Sequence, residues 1–128
     1  MARSAVLLAA VALSAAAAAP AVAAPSGPAS GICIVKHVPH VKPATVKVGV
    51  NIDEASSAAA RGAARCGVVS TVAKTLARQG AERPTTVKGY ACTPTVRGTS
   101  RVSWSCVWKG GKPSTTVTAL FAWRYVNG

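Results

Sequence analysis

From Arg101 to Lys109 the chain alternates, with Val102, Trp104, Cys106 and Trp108 on one parity and Arg101, Ser103, Ser105 and Lys109 on the other. A period of two marks a half-buried β-strand, because successive side chains leave the pleat on opposite faces. Residues 44–50 repeat the pattern, setting Val46, Val48 and Val50 against Thr45, Lys47 and Gly49. Residues 32–38 are a weaker strand, separated from the next by Pro39, His40 and Pro43, which predict an irregular loop. Residues 86–92 and 114–125 complete the strand-like segments.

Between these strands the period changes to that of a helix. Ala55, Ala59, Gly62, Cys66, Val69, Ala73 and Leu76 recur at steps of four and three, one continuous seam of mostly small side chains. Asn51 reads as its cap, Glu54 as the reciprocal capping residue, and Lys74, Arg78 and Gly80 as its stop. Gly62 is the point where such a helix breaks, since glycine costs about 1 kcal/mol relative to alanine. The pattern predicts an α+β fold in which one long helix, continuous or broken, packs on an antiparallel sheet of three to four strands with two disulfides.

Two hairpins follow from turn residues. Gly110-Gly111-Lys112-Pro113 connects the last two strands; with Lys109 opposite Ser114, Val102 meets Phe121, Trp104 meets Ala119 and Cys106 meets Val117. A turn through Gly98-Thr99-Ser100 sets Arg97 against Arg101 and Cys92 against Cys106, with Pro94 and the two like charges opposing it.

The amino-terminal segment stands apart. Arg3, the apolar run 5–19 and the triplet Ala21-Val22-Ala23 form a secretory signal peptide, too short to span a bilayer and followed by Pro20 and Pro25. Residues 1–23 are expected to be cleaved, 24–31 to form a disordered tail, and 32–128 to form a single secreted α+β domain, extracellular and monomeric, with no transmembrane segment. Without Arg3, fourteen Lys and Arg face three acids, Asp53, Glu54 and Glu82, a net charge of +11. Such a charge attracts polyanions and also keeps a secreted protein soluble.

Export places Cys33, Cys66, Cys92 and Cys106 in an oxidising compartment, so a disulfide framework is expected. Four cysteines allow three connectivities; Cys92 with Cys106 and Cys33 with Cys66 are favoured, ahead of Cys66 with Cys106 and Cys33 with Cys92. Cys33, His37 and His40 have a spacing that zinc can use, but oxidised sulfur removes the thiolate, and neither metal nor cofactor is expected. Of the three acids, Asp53 and Glu54 are taken up by the helix start, which leaves no carboxylate pair for hydrolysis, and His37 and His40 lie too close together in sequence to flank a scissile phosphate. No catalytic residue is assigned.

Trp104, Trp108 and Trp123 share parity with Val102, Cys106, Val117 and Phe121, which predicts core packing instead of a stacking platform. The opposite parity carries Arg101, Ser103, Ser105, Lys109 and Arg124, a candidate anion-binding face.

The order of a helix bearing Cys66, then Gly89-Tyr90-Ala91-Cys92, then Val102-Ser103-Trp104-Ser105-Cys106, resembles small secreted cysteine-containing proteins of high-GC Gram-positive bacteria. That resemblance implies export and carries no functional residue. Cys92-Thr93-Pro94 and Val107-Trp108-Lys109-Gly110 are similar to the post-cysteine reactive loop and the Trp-x-Gly strand end of the subtilisin inhibitor-like family, which would imply protease inhibition. Pro94 stands where that family presents a residue to the protease, Thr95-Val96-Arg97 replaces its Tyr-Asp-Pro, and Cys106 lies well before its last cysteine. The reading taken forward is a noncatalytic binding protein for an anionic envelope polymer or a protein partner, with no specific nucleic acid. A secreted protease inhibitor and a small nuclease-like enzyme are the alternatives.

Overall fold

A computed structural model describes residues 27–80, 82–98, 101–110 and 115–126. The leader 1–23, residues 99–100 of one expected turn and 111–113 of the other lie outside the described residues. The elements are β1 (Ala29–Val35), β2 (Val41–Lys42), β3 (Val46–Ile52), α1 (Ala58–Ala63), α2 (Cys66–Gln79), β4 (Thr85–Val87), β5 (Tyr90–Arg97), β6 (Arg101–Gly110) and β7 (Thr115–Tyr125). One antiparallel sheet runs β1-β3-β7-β6-β5-β4, and β2 pairs with the end of β7.

This corrects the expectation of one long helix on three to four strands. Asn51 and Ile52, read as a helix start, end β3 instead, because Thr118 and Val117 of the distant β7 pair with them. Asp53 extends the ladder: its N–H donates to the Thr116 carbonyl at 3.0 Å, and its carboxylate accepts from the Thr116 N–H at 2.7 Å. Glu54 is occupied by the turn, accepting from the Ser56 hydroxyl and N–H and from the Gly27 N–H. Those hydrogen bonds, the Ser56 hydroxyl foremost, hold its carboxyl below the usual carboxylate range. The helix begins only at Ala58, where the Ser57 hydroxyl accepts from the Ala60 N–H at 3.2 Å. It breaks at Arg65, whose extended backbone (ψ 138°) separates α1 from α2, while Gly62 stays inside α1. Gly80 ends α2 in the left-handed conformation (φ 67°).

Of the additional strands, β2 falls within the segment expected as an irregular loop, where Val41 and Lys42 pair with Tyr125 and Arg124, and β4 comes from a turn. Lys88 and Gly89, both at positive φ (52° and 83°), make a two-residue turn that divides the expected strand 86–92 into β4 and β5. At the amino terminus, β1 begins at Ala29, and Gly27 bonds Ala55 and Glu54, so residues 27–31 are part of the folded body and not of a tail.

β5 and β6 pair with Cys92 opposite Cys106 and Arg97 opposite Arg101. Pro94 is tolerated because β4 ends opposite Cys92, leaving β5 as an edge from there on. The β6–β7 register differs by two residues from that expected: Val102 meets Trp123, Trp104 meets Phe121 and Cys106 meets Ala119. Gly110 still pairs, with Thr115; a shift of two preserves which face each side chain takes.

Val102, Trp104, Cys106, Val117, Phe121 and Trp123 are buried in one core with Val69, Val72 and Leu76 of α2 and Ala60 of α1. The helices therefore cover one face of the sheet. Burying each large aliphatic side chain contributes about 1.5–3 kcal/mol, the main source of stability in so small a domain. Cys33–Cys66 joins β1 to the start of α2, and Cys92–Cys106 crosses β5 and β6; these are the favoured pairs.

Candidate anion-binding face

The uncovered face is assembled from the outward parity of each strand, basic and hydroxyl-bearing on β5 and β6 and apolar at Leu120 of β7 and at Ile32 and Ile34 of β1. Arg101, Ser103, Ser105, Lys109 and Arg124 all lie on it, as alternation requires. Their arrangement could not be read from one strand. Arg101 on β6 is the direct partner of Arg124 on β7; Arg97 on β5 faces Arg101 from the other side, and Lys42 on β2 faces Arg124. The result is a row of four exposed cations, Arg97, Arg101, Arg124 and Lys42, running across four strands. At about 4.8 Å per strand the row is about 14 Å long.

Like charges directly opposite one another repel, so the row weakens the sheet locally. None of the four is paired with a carboxylate among the described residues. Asp53 binds Thr116 at the other end of the face and Glu54 binds Ser56 and Gly27, while the charge of Glu82 is felt by the Tyr125 hydroxyl, on the opposite parity of β7 from Arg124. Lys109 also lies at that far end, opposite Thr116. Eight residues of extended strand put it about 27 Å from Arg101, so it does not join the row.

A cavity of about 440 Å³ opens beside the row, lined by Lys42, Pro43, Arg101, Ala122, Trp123 and Arg124. Its origin is a gap in pairing. β3 leaves β7 after Gly49 meets Leu120, and β2 joins β7 only where Lys42 meets Arg124, so Phe121, Ala122 and Trp123 have no strand partner on that side. Ala122 keeps the floor low, while Lys42, Arg101 and Arg124 supply positive charge around it.

Beyond the basic row come hydroxyls: Thr95 and Ser103 are cross-strand partners, as are Thr93 and Ser105. The aromatic side chains take the opposite parity. Trp104 and Trp123 are buried, with ring centroids 6.3 Å apart, and Phe121 and Tyr125 flank Trp123 at 5.1 and 6.1 Å. The Trp104 and Trp123 indole N–H groups and the Tyr125 hydroxyl are buried without hydrogen-bond partners. Burial raises the Tyr125 hydroxyl above the ordinary phenol range, helped by the negative charge of Glu82; the Trp123 N–H pulls the other way without completing a hydrogen bond.

The other candidate chemistries do not assemble. His37 and His40 are exposed residues at positive φ (58° and 63°) between β1 and β2. Cys33 is bonded to Cys66, and no group of three or more His, Cys, Asp or Glu among the described residues could hold a metal. Cys92-Thr93-Pro94, compared above with an inhibitory loop, lies inside β5 and pairs with Ser105 and Trp104.

Sequence reasoning missed Lys42 and did not count Arg97 in the site. The Arg97–Arg101 pairing was visible in the hairpin, where it reads as a penalty; Lys42 had no local signal, because its partner is 82 positions away in β7. No family model matches the chain, and no curated protein or solved structure matches it.

Proposed function

We propose that the protein is exported, held together by its two disulfides, and noncatalytic, and that it binds an anionic envelope polymer through the basic face. The observation that carries this reading is the cross-strand row Arg97–Arg101–Arg124–Lys42, which sets like charges opposite one another beside an open cavity, with no carboxylate paired to any of the four among the described residues. Four aligned positive charges attract a polyanion by releasing its counterions, so binding is strong at low salt and falls as salt rises. Two disulfides, and no helix among the described residues long and apolar enough to cross a membrane, are compatible with secretion.

Retention of the oxidised protein on an immobilised anionic polymer tests the reading. The double variant R101Q/R124Q is expected to elute at clearly lower salt than the parent. Equal elution of the two proteins would mean that the row is not the binding surface.

A further inference from the structure

We infer that the polymer is a linear polyol phosphate, a phosphodiester chain without bases, lying across the strands along the row from Arg97 to Lys42. The inference rests on the anionic-polymer reading above and adds the chemistry of the ligand and its direction.

Direction follows from register. The four cations are direct partners on successive strands, so positive charge runs perpendicular to the strands and is one residue wide. A chain with charges along its length meets all four only when it lies in that direction. Three of the four are arginines, whose planar forks donate paired hydrogen bonds to the two unesterified oxygens of a phosphodiester. The cavity beside Lys42, Arg101 and Arg124 has room for a tetrahedral group to enter with positive charge on more than one side.

The absence of bases follows from where the rings are. The chain has three tryptophans, two tyrosines and one phenylalanine. All six take the helix-covered parity of their strands: Tyr90, Trp104, Trp108, Phe121, Trp123 and Tyr125. Single-stranded nucleic acid binders gain about 1–3 kcal/mol from each base stacked on an aromatic ring, and this face provides no ring for it. On β5 and β6 the row is flanked instead by hydroxyls, from Thr95 with Ser103 and Thr93 with Ser105, a surface suited to the hydroxyls of a polyol backbone, while on β7 the flanking residues are Ala122 and Leu120.

The test compares three probes of equal charge number on the oxidised protein: a glycerol-phosphate oligomer, oligodeoxythymidylate and polyglutamate. The glycerol-phosphate oligomer is expected to bind at least as tightly as oligodeoxythymidylate, and polyglutamate about tenfold more weakly, because a planar carboxylate pairs with one arginine fork as well as a phosphodiester does but has no tetrahedral group to place among the cations of the cavity. With four contacts the logarithm of affinity should fall against that of salt with a slope of about −2.8, and in R101Q/R124Q with a slope of about −1.4. Lys109→Gln, at the far end of the face, should leave the slope unchanged. If the double variant does not fold, Arg97→Gln and Lys42→Gln at the ends of the row should each reduce the slope by about 0.7. Tighter binding of oligodeoxythymidylate, binding of polyglutamate as tight as that of the phosphate polymer, or a slope unmoved by these variants would overturn the inference. Failure to bind any of the three would instead remove the anionic-polymer reading on which it rests.

Discussion

Arg101 and Arg124 stand directly opposite each other on neighbouring strands of the sheet, with a third arginine and a lysine continuing the line on either side. A cross-strand pair of like charges costs about 0.2–1 kcal/mol relative to a neutral pair. Either Arg101→Gln or Arg124→Gln should therefore raise the thermal midpoint at low ionic strength while weakening retention on anionic polymer. The gain should shrink as salt screens the repulsion in the parent. Thermal unfolding at two salt concentrations checks this, and a lower midpoint in both variants would contradict it.

The two disulfides close loops of different length, with sequence separations of 33 for Cys33–Cys66 and 14 for Cys92–Cys106. Loop entropy alone assigns about 3.7 kcal/mol to the longer and about 3 kcal/mol to the shorter. Paired Cys→Ser variants should each lower the denaturant midpoint strongly, the Cys33/Cys66 pair the more so. Chemical denaturation of the two double variants measures the difference.

Trp108 is held between two glycines. A Cβ at Gly89 would meet its Cδ1 at 3.0 Å, and one at Gly110 its Cη2 at 2.7 Å; Gly89 also sits at φ 83°. Gly89→Ala combines backbone strain with overpacking and should cost about 2 kcal/mol or more. Gly31→Ala in β1, where an added Cβ meets nothing within 4 Å, should change stability by no more than about 0.5 kcal/mol. Equal effects of the two substitutions in denaturant titrations would refute this account of the turn.

The Tyr90 hydroxyl donates to the Ala63 carbonyl at 2.7 Å, and burial pushes its pKa up to about 12. The unfolded chain releases this proton near the ordinary value of 10, so between pH 10 and about 12 the folded state binds more protons than the unfolded one. The stabilisation is complete below pH 10 and is lost as pH rises through about 12. Tyr90→Phe should flatten the decline of the thermal midpoint across that window. At neutral pH it should cost about 1 kcal/mol for the carbonyl left without its donor. An equally steep decline in the variant would place the alkaline sensitivity elsewhere.

Local pattern alone specified much of this molecule. The alternation through residues 101–109 set the inward and outward faces, and the turn at Gly98 aligned Cys92 with Cys106 and Arg97 with Arg101, because a hairpin's register is determined by its own few residues. The Gly80 stop ended α2 for the same reason, whereas the small-residue seam, read as one helix from Ala55, ran across the break at Arg65 and included the exposed Ala59 where α1 buries Ala60. Local pattern misplaced the start of the helix: Asn51 and Glu54 carry the capping signals, yet hydrogen bonding to β7, more than sixty residues away, draws Asn51 and Ile52 into the sheet. Lys42 is the same case at the candidate site. The sequence determined which side chains face outward on each strand, whereas the cation row and its cavity exist only because the fold brings β2, β5, β6 and β7 side by side, and pairing between distant strands leaves no periodic trace in the segments that make it.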